Sequence, residues 1–180
     1  MKAYIFLADG FEEIEAITPI DILLRAQIEV IRVSISNTLT IIGAHNIIVQ
    51  ADNLFEENDF SDADILILPG GMPGTKNLDA HEGLKIAISK HAALGKPIAA
   101  ICAAPLILGK MGLLKNMEAI CYPGNEHLLE GAIISQQKVV KDGAIITAKG
   151  AGVAVQFALK IVETLKGKAE SDRIENAIFF

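Results

Sequence analysis

The sequence predicts an α/β fold in which a mostly parallel sheet is covered by helices on both faces. Short apolar runs, such as Ala3–Ala8 and Ile65–Leu68, alternate with helical patterns such as Val153–Leu165, and this alternation is typical of parallel sheets. Tryptophan is absent and aromatic residues make up 5%, so Ile, Leu, Val and Ala must build the core. Since no run of Gly, Ser or Pro resembles a linker, we expect a single domain over residues 1–180.

Hydrophobic periodicity assigns the individual elements. Strands are predicted at Ala3–Ala8, Ile28–Ile35, Ile65–Leu68, Pro97–Ile101 and Ala144–Thr147, with a small hairpin of Thr40–Ile42 and Ile47–Gln50. Helices are predicted at Glu12–Arg25, Glu82–Leu94, Ala104–Met111 and Val153–Leu165, with a last turn at Ser171–Asn176. The first helix has its apolar residues Ile14, Ile17, Ile20 and Leu24 at spacings of three and four. Because Thr18 and Pro19 can recap it, we expect a kinked helix or two short ones.

Charge and composition exclude several classes of protein. The net charge is −6 and the pI is near 5.2, so a basic stripe for nucleic acid is not expected. The longest apolar stretch, Ile98–Leu108, is broken by Pro105 and is shorter than the roughly 20 residues that span a bilayer. With two cysteines and no pattern of a secretory signal, we expect a cytoplasmic protein that binds no membrane.

Candidate chemistry follows three of the predicted strands. Ligands of parallel α/β sheets bind outside the carboxyl ends of the strands. The three segments at these ends are Asp9-Gly10-Phe11, Pro69-Gly70-Gly71 and Cys102-Ala103-Ala104. They are therefore expected to contribute to one site.

Cys102 is the strongest candidate for a nucleophile. It ends an apolar strand and is followed by small residues and Pro105, an order that resembles the nucleophile elbow, with Ala100 and Ala104 where that motif has glycines. A thiol at a helix N-terminus is expected to have a lowered pKa. The simpler alternative is that Cys102 is a small buried apolar residue.

Two further features could complete such a site. Gly70 and Gly71 allow backbone N–H groups to point into the crevice as an oxyanion hole, although a tight turn alone also explains them. The presence of Glu12 and Glu13 in the first turn of a predicted helix is explained by their favourable interaction with the helix dipole. Glu15 is flanked by apolar residues, and a buried carboxyl tends to stay protonated and can donate a hydrogen bond to a thiolate.

The histidines do not form a metal-binding pattern. His45, His81, His91 and His127 share no ligand spacing with one another or with the cysteines, so no metal is predicted. His127 alone lies near Cys121 and Tyr122 in the sequence, and we retain it as a candidate for lining the pocket.

Taken together, these residues resemble the DJ-one/ThiJ/PfpI superfamily, and specifically its small DJ-one-like branch. The resemblance covers essentially the whole chain. The matching segments are Asp9-Gly10-Phe11-Glu12-Glu13-Ile14-Glu15, Leu68-Pro69-Gly70-Gly71, Ala99-Ala100-Ile101-Cys102-Ala103-Ala104-Pro105 and Thr147-Ala148-Lys149-Gly150. No single segment is decisive, but the set in this order is highly specific.

The resemblance implies a flavodoxin-like three-layer sandwich and a homodimer. It implies that Glu15 is the carboxyl partner of Cys102 and that the N–H groups of Gly71 and Ala103 form the oxyanion hole, without metal or cofactor. Family activities include glutathione-independent glyoxalase, protein deglycase, and redox-dependent protection or chaperoning. The short C-terminus after Gly167 argues against a long terminal helix.

The sequence also departs from the family pattern. The protease-like branch has a histidine directly after the nucleophile, where this chain has Ala103, so peptidase activity is not expected. Tyr122 stands where some relatives have a histidine. Any catalytic contribution of that histidine would therefore have to come from Tyr122 or His127. Arg25 matches an anion-binding arginine near the dimer interface of relatives, and His45 stands where another arginine lies.

The resemblance, together with the candidate pair Cys102 and Glu15, implies an enzyme of the glyoxalase III or deglycase type. Its substrate would be methylglyoxal, a related small reactive carbonyl or a glycated protein, with Cys102 as nucleophile and Glu15 as general acid and base. The alternative is a redox-sensing stress protein in which Cys102 is oxidised to the sulfinate. A small-molecule binder without turnover is the third hypothesis.

Overall fold

Eleven strands and six α-helices follow one another in the computed structural model, which describes residues 1–180. The strands are β1 (Lys2–Leu7), β2 (Glu29–Ser34), β3 (Thr40–Ile42), β4 (Ile48–Gln50), β5 (Asn53–Leu54), β6 (Ile65–Leu68), β7 (Ile98–Ile101), β8 (Glu118–Ala119), β9 (Ile133–Ile134), β10 (Val139–Asp142) and β11 (Ile145–Ala148). The helices are α1 (Glu13–Arg25), α2 (Gly74–Ala80), α3 (Glu82–Ala93), α4 (Pro105–Lys110), α5 (Ala154–Lys166) and α6 (Lys168–Ala177).

Seven of the strands form the central sheet, in the order β10-β11-β7-β6-β1-β2-β5. All neighbours in this sheet are parallel except β10, which runs antiparallel to β11 at one edge. The predicted hairpin is present as the antiparallel pair β3 and β4. β8 and β9 form a second small sheet. The mostly parallel α/β architecture predicted from the sequence is therefore confirmed.

The two faces of the sheet are covered by different helices. Alternate residues of a strand point to opposite faces, and in β1 this sends Ile5 and Leu7 into one buried cluster and Tyr4 and Phe6 into another. The first cluster contains apolar side chains of α1, α5 and α6, and the second contains those of α2, α3 and α4. The fold is thus a three-layer sandwich with a core on each side of the sheet.

Helix α1 faces the sheet differently from the prediction. Ile14 and Leu24, expected on its buried side, are 53% and 54% exposed, whereas Glu15 is 1% exposed. Ala16 and Leu23 face the core instead. The apolar spacing therefore misidentified the buried face of α1, because a carboxyl group takes one of the buried positions.

Of the two alternatives predicted for this segment, a kinked helix or two short ones, the structure excludes the two short helices. A single helix runs from Glu13 to Arg25 with Pro19 inside it. A proline within a helix removes one backbone hydrogen bond to the residue four positions earlier. Packing of Ala16 and Leu23 in the core holds the helix together across that missing bond.

Other differences concern short or polar segments. Helix α2 and strand β5 were not predicted, and the C-terminal turn is the ten-residue helix α6. Ile174 of α6 is buried against the core and the hydroxyl of Ser171 donates to the Leu159 carbonyl at 3.0 Å. None of the six helices combines the length and the apolar character that crossing a membrane requires.

The core under α5 provides a test of this packing. Phe157 is fully buried in the cluster formed by α1, α5 and the sheet, so we expect Phe157→Ala to lower the free energy of unfolding by about 3–5 kcal/mol. Phe179 is 97% exposed, and Phe179→Ala should change it by less than about 0.5 kcal/mol. Urea unfolding followed by circular dichroism measures both values. Equal effects of the two substitutions would contradict the assigned core.

Candidate active site

The carboxyl ends of four neighbouring strands converge on one crevice. From β1 the chain passes through α1 to β2 on one side of β1, and it later returns as β6 on the other side. Such a reversal is the place where ligands of open α/β sheets bind. Gly70 and Gly71 follow β6, Cys102 follows β7, and Lys149 and Gly150 follow β11.

Cys102 occupies a sharp turn between β7 and α4. Its φ is 63°, in the left-handed region that side-chain-bearing residues seldom adopt. Its N–H donates to the Ala148 carbonyl at 2.9 Å, and its carbonyl accepts from the Tyr122 N–H at 2.8 Å. These bonds hold the backbone in the elbow conformation that the sequence predicted, with Ala103 and Ala104 providing the small neighbours.

Glu15 extends from α1 to the end of β6 and meets Cys102 there. The Gly70 N–H donates to Glu15 Oε2 at 3.0 Å, and the neighbouring Cys102 side chain lowers the pKa of Glu15 in opposition to burial. Gly70 lies between the two: a Cβ atom on it would be 2.5 Å from Glu15 Oε2 and 2.6 Å from Cys102 Cβ. Only glycine allows the carboxyl and the thiol to approach at this position.

Backbone donors complete the surroundings of the sulfur. The backbone N–H groups of Gly71 and Ala103 lie beside the Cys102 sulfur and lower the pKa of its thiol, which favours the thiolate. Gly71 has a φ of 90°, and its carbonyl accepts from the Thr75 N–H at 2.9 Å at the start of α2. Two fixed N–H groups beside a nucleophile are the arrangement that stabilises an oxyanion.

The pKa of the Glu15 carboxyl agrees with the prediction from the sequence, whereas the pKa of the Cys102 thiol does not. Burial raises the pKa of Glu15 to about 7, as the sequence suggested. Burial and the Glu15 carboxylate raise the pKa of Cys102 to about 12, although a helix N-terminus was predicted to lower it. That prediction was wrong because α4 has only six residues and its dipole is outweighed by desolvation and the negative neighbour.

The two groups therefore titrate as a pair. Each charge opposes the other, so one proton leaves at near-neutral pH and the second only in strong alkali. In the singly deprotonated pair the remaining proton lies either on the Cys102 sulfur or on the Glu15 carboxyl. The two pKa values place this proton mainly on the Cys102 sulfur, while the Gly71 and Ala103 N–H groups lower the pKa of the thiol and so support a smaller population in which Cys102 is a thiolate beside a protonated carboxylic acid.

A pocket of about 370 Å³ opens above the sulfur. It is lined by Gly71, Met72, Cys102, Ala103, Tyr122 and Asn125. Tyr122 is 54% exposed, so its ring forms the solvent side of the pocket. Its size suits a molecule of a few heavy atoms.

The structure does not bring all the predicted residues to this pocket. His127 lies exposed on a 3-10 turn and Asn125 lines the pocket instead. Arg25 lies on a separate groove between α1 and the C-terminus, where its Nε donates to Asp21 at 2.7 Å. Gly70 does not line the pocket. It is buried and lies between the side chains of Glu15 and Cys102.

His45 and Glu13 have a role in fixing the hairpin. The His45 N–H donates to Glu13 Oε1 at 2.7 Å, and His45 Nδ1 lies 2.8 Å from Glu13 Oε2. Potential ligand atoms of Glu12, Glu13 and His45 lie within 4.8 Å of one another, a proximity that their sequence spacing did not reveal. The Glu13 oxygens are already used in joining the turn between β3 and β4 to α1.

The sequence did not identify three of the residues that surround Cys102. Met72 and Asn125 line the pocket, and a Cβ atom on Gly150 would lie 3.8 Å from Cys102 Sγ. The matching segment Thr147-Ala148-Lys149-Gly150 was the only available signal for Gly150. Cys121 is fully buried and burial raises its pKa to about 11, so it differs from Cys102 in having no carboxyl partner or oxyanion donors.

The fold and the site place this chain among α/β proteins that hold a cysteine on a strand-to-helix elbow. The model of the DJ-1/PfpI family matches residues 1–164. Protein DJ-1 homolog B of Arabidopsis thaliana is 34% identical over 172 residues, which are 95% of this chain and 39% of that relative. The chain thus spans about two fifths of that plant protein's length. It belongs to the DJ-1/PfpI family.

Two further comparisons extend over most of both chains. The glutathione-independent glyoxalase DJR-1.2 of Caenorhabditis elegans is 32% identical over 164 residues, 91% of this chain and 87% of that relative. The solved structure of oxidized Toxoplasma gondii DJ-1 has a TM-score of 0.96 and 33% identity, covering 99% of this chain and 98% of that one. The fold is therefore shared throughout its length.

The paired titration predicts a two-step pH profile for alkylation of Cys102. Reaction with iodoacetamide should first accelerate near pH 7, where the pair loses its first proton, and again well above pH 9. In Glu15→Gln the step near neutrality should disappear, because one titrating group remains and burial raises its pKa. Rates measured by mass spectrometry at each pH test this. A single step near pH 9 in both proteins would show that the groups are independent.

Proposed function

We propose that the protein is a cysteine-dependent enzyme that converts methylglyoxal or a similar small 2-oxoaldehyde to a 2-hydroxy acid without glutathione. The observation that carries the proposal is the Cys102 sulfur, which is in contact with the buried Glu15 carboxyl and two oxyanion donors. The name of the Caenorhabditis elegans relative supports the same reaction class.

The reaction begins with addition of sulfur to the aldehyde. The Cys102 thiolate forms a C–S bond with the aldehyde carbon, and the carbonyl electron pair moves to oxygen. The N–H groups of Gly71 and Ala103 stabilise this oxyanion. Protonation of the oxygen by the Glu15 carboxylic acid gives a hemithioacetal and leaves Glu15 ionised.

Glu15 then moves protons between the two carbons. Its carboxylate removes a proton from the former aldehyde carbon and delivers it to the ketone oxygen, which gives the enediol and leaves Glu15 ionised. Glu15 then takes the hydroxyl proton of the first carbon and gives a proton to the second carbon, which yields a thioester of the 2-hydroxy acid. Water cleaves the C–S bond, releasing the acid and regenerating the Cys102 thiol, so the net reaction consumes one water and no oxidant.

Reversible or stepwise oxidation of Cys102 is the second candidate function. The same N–H groups and a protonated Glu15 can hydrogen-bond the oxygens of a sulfinate. The similar Toxoplasma gondii DJ-1 structure is of the oxidized protein. Deglycase activity, a chaperone role and the homodimer implied by the family resemblance stay predictions.

Substitution of the two central residues tests the catalytic proposal. Cys102→Ser should lower kcat/KM for methylglyoxal about 10³-fold or more, because the thiolate nucleophile is lost. Glu15→Gln should lower it about 10²–10⁴-fold through loss of proton transfer. Lactate formation without glutathione is measured, and circular dichroism verifies folding. The matched control is Cys121→Ala, which should retain turnover. Activity retained in either Cys102→Ser or Glu15→Gln would refute the mechanism.

Selective oxidation tests the sensing alternative. Under mild peroxide we expect two oxygen atoms to be added at Cys102 and none at Cys121, because only Cys102 has oxyanion donors and partial exposure. Peptide mass spectrometry locates the added oxygens. Equal oxidation of the two cysteines would argue against a specialised sensing site.

A further inference from the structure

A second cleft lies directly beside the Cys102 pocket. Its volume is about 360 Å³. It is lined by Tyr122, Pro123, Lys138, Lys149, Gly150, Ala151, Gly152 and Val153. We call it the lysine cleft. Tyr122 lines both cavities, so one aromatic ring is their common wall.

The lysine cleft reaches the reacting atoms through Gly150. A Cβ atom on Gly150 would lie 3.5 Å from Tyr122 Cδ2, 3.7 Å from Glu15 Oε1 and 3.8 Å from Cys102 Sγ. A side chain at Gly150 would therefore contact Glu15 and Cys102, so this end of the cleft lies one methyl group away from them. A ligand in the cleft can extend one end to the sulfur.

Lys138 and Lys149, two lysines without an acidic partner, are among the residues of this cleft, whose surface is otherwise largely apolar. The Lys149 N–H donates to the Lys138 carbonyl at 3.0 Å, which places the two residues side by side at the ends of the paired strands β10 and β11. Neither ammonium group forms a hydrogen bond or salt bridge, although Lys149 is only partly exposed. Five other lysines, at positions 2, 85, 110, 160 and 168, are paired with carboxylates.

Two other features bear on the charge of this region. Val153, at the start of α5, provides no side-chain cap, so the first N–H groups of this 13-residue helix add positive potential. The neighbouring Glu126 carboxylate accepts from the Gly124 N–H at 2.7 Å. In a chain of net charge −6, two unpaired lysines beside the nucleophile are a specific attraction for an anion.

We propose that the lysine cleft binds the carboxylate of an anionic aldehyde substrate while its aldehyde carbon reaches Cys102. This inference rests on the proposed function, because it assumes that Cys102 reacts with small carbonyl compounds. Lys138 and Lys149 determine specificity, and Tyr122 separates the carboxylate end from the reacting end. The substrate class is thereby extended from neutral 2-oxoaldehydes to aldehydes that also carry a carboxylate.

A pair of alkylating reagents tests the cleft without requiring turnover. Iodoacetate and iodoacetamide both form a C–S bond with a thiolate and release iodide, but only iodoacetate carries a carboxylate. We expect the ratio of their rates at Cys102 to fall about fivefold in Lys149→Gln or Lys138→Gln, the effect of one opposite charge near 4 Å in a water-like medium. Lys90→Gln removes an equal charge from an exposed position on α3 and should leave the ratio unchanged.

Two outcomes of the alkylation experiment would contradict the proposed lysine cleft. An unchanged ratio in the Lys138→Gln/Lys149→Gln double variant, or an equal fall in Lys90→Gln, would overturn the proposed site. Because the measurement uses the thiol alone, a protein that fails to convert methylglyoxal but shows the expected ratio refutes the enzyme proposal and supports the cleft.

A binding measurement provides a second, independent readout. In Cys102→Ser protein, titration with glyoxylate should shift the amide resonances of Gly150, Ala151 and Gly152 saturably, whereas acetaldehyde, which lacks the carboxylate, should not. The shifts should be lost when Lys138 and Lys149 are both replaced by glutamine. Equal responses to glyoxylate and acetaldehyde would contradict recognition of the carboxylate.

Discussion

The hydrogen bond from the Gly70 N–H to the Glu15 carboxyl is the constraint on which the site depends. It joins α1 to the end of β6 at 3.0 Å, within a crevice where Glu15 is 1% exposed. Because β7 is the neighbour of β6, the same glycine also borders Cys102. A side chain at position 70 would occupy the space in which the carboxyl and the thiol meet, so the pair exists only because this strand end has no Cβ atom.

Burial of that carboxyl has consequences for both packing and chemistry. Helix α1 must present Glu15 inward, and Ile14 and Leu24 are consequently exposed. The carboxyl is left with a pKa of about 7, so near neutrality the pair interconverts between the doubly and the singly protonated forms. An acid that is half ionised at neutral pH is suited to both donating and accepting protons. The orientation of the helix and the proposed proton transfer therefore have the same physical origin.

The sequence predicted the elements with strong local signals and missed those that tertiary contacts define. An apolar strand followed by small residues identified the elbow at Cys102, and the alternating pattern identified the parallel sheet. Local pattern could not orient α1, since the hydrogen bond that draws Glu15 inward comes from a residue 55 positions away. Helix α6 is mostly polar, with Ile174 buried, so its hydrophobic periodicity was too weak to predict more than a turn. The thiol pKa was misjudged because burial is a property of the fold.

The lining of the pocket shows why chemistry is easier to predict from sequence than selectivity. Cys102, Glu15 and Gly70 follow strands or lie on a helix, where register fixes their position. Tyr122 is held by its N–H bond to the Cys102 carbonyl, and Asn125 by its N–H bond to Tyr122, so the loop folds back and directs Asn125 rather than His127 to the pocket. Loops on a rigid scaffold commonly determine what a shared catalytic centre accepts. Here Tyr122 also borders the lysine cleft, and substrate selection is therefore a property of this loop and the segment after β11, while reactivity is a property of the sheet.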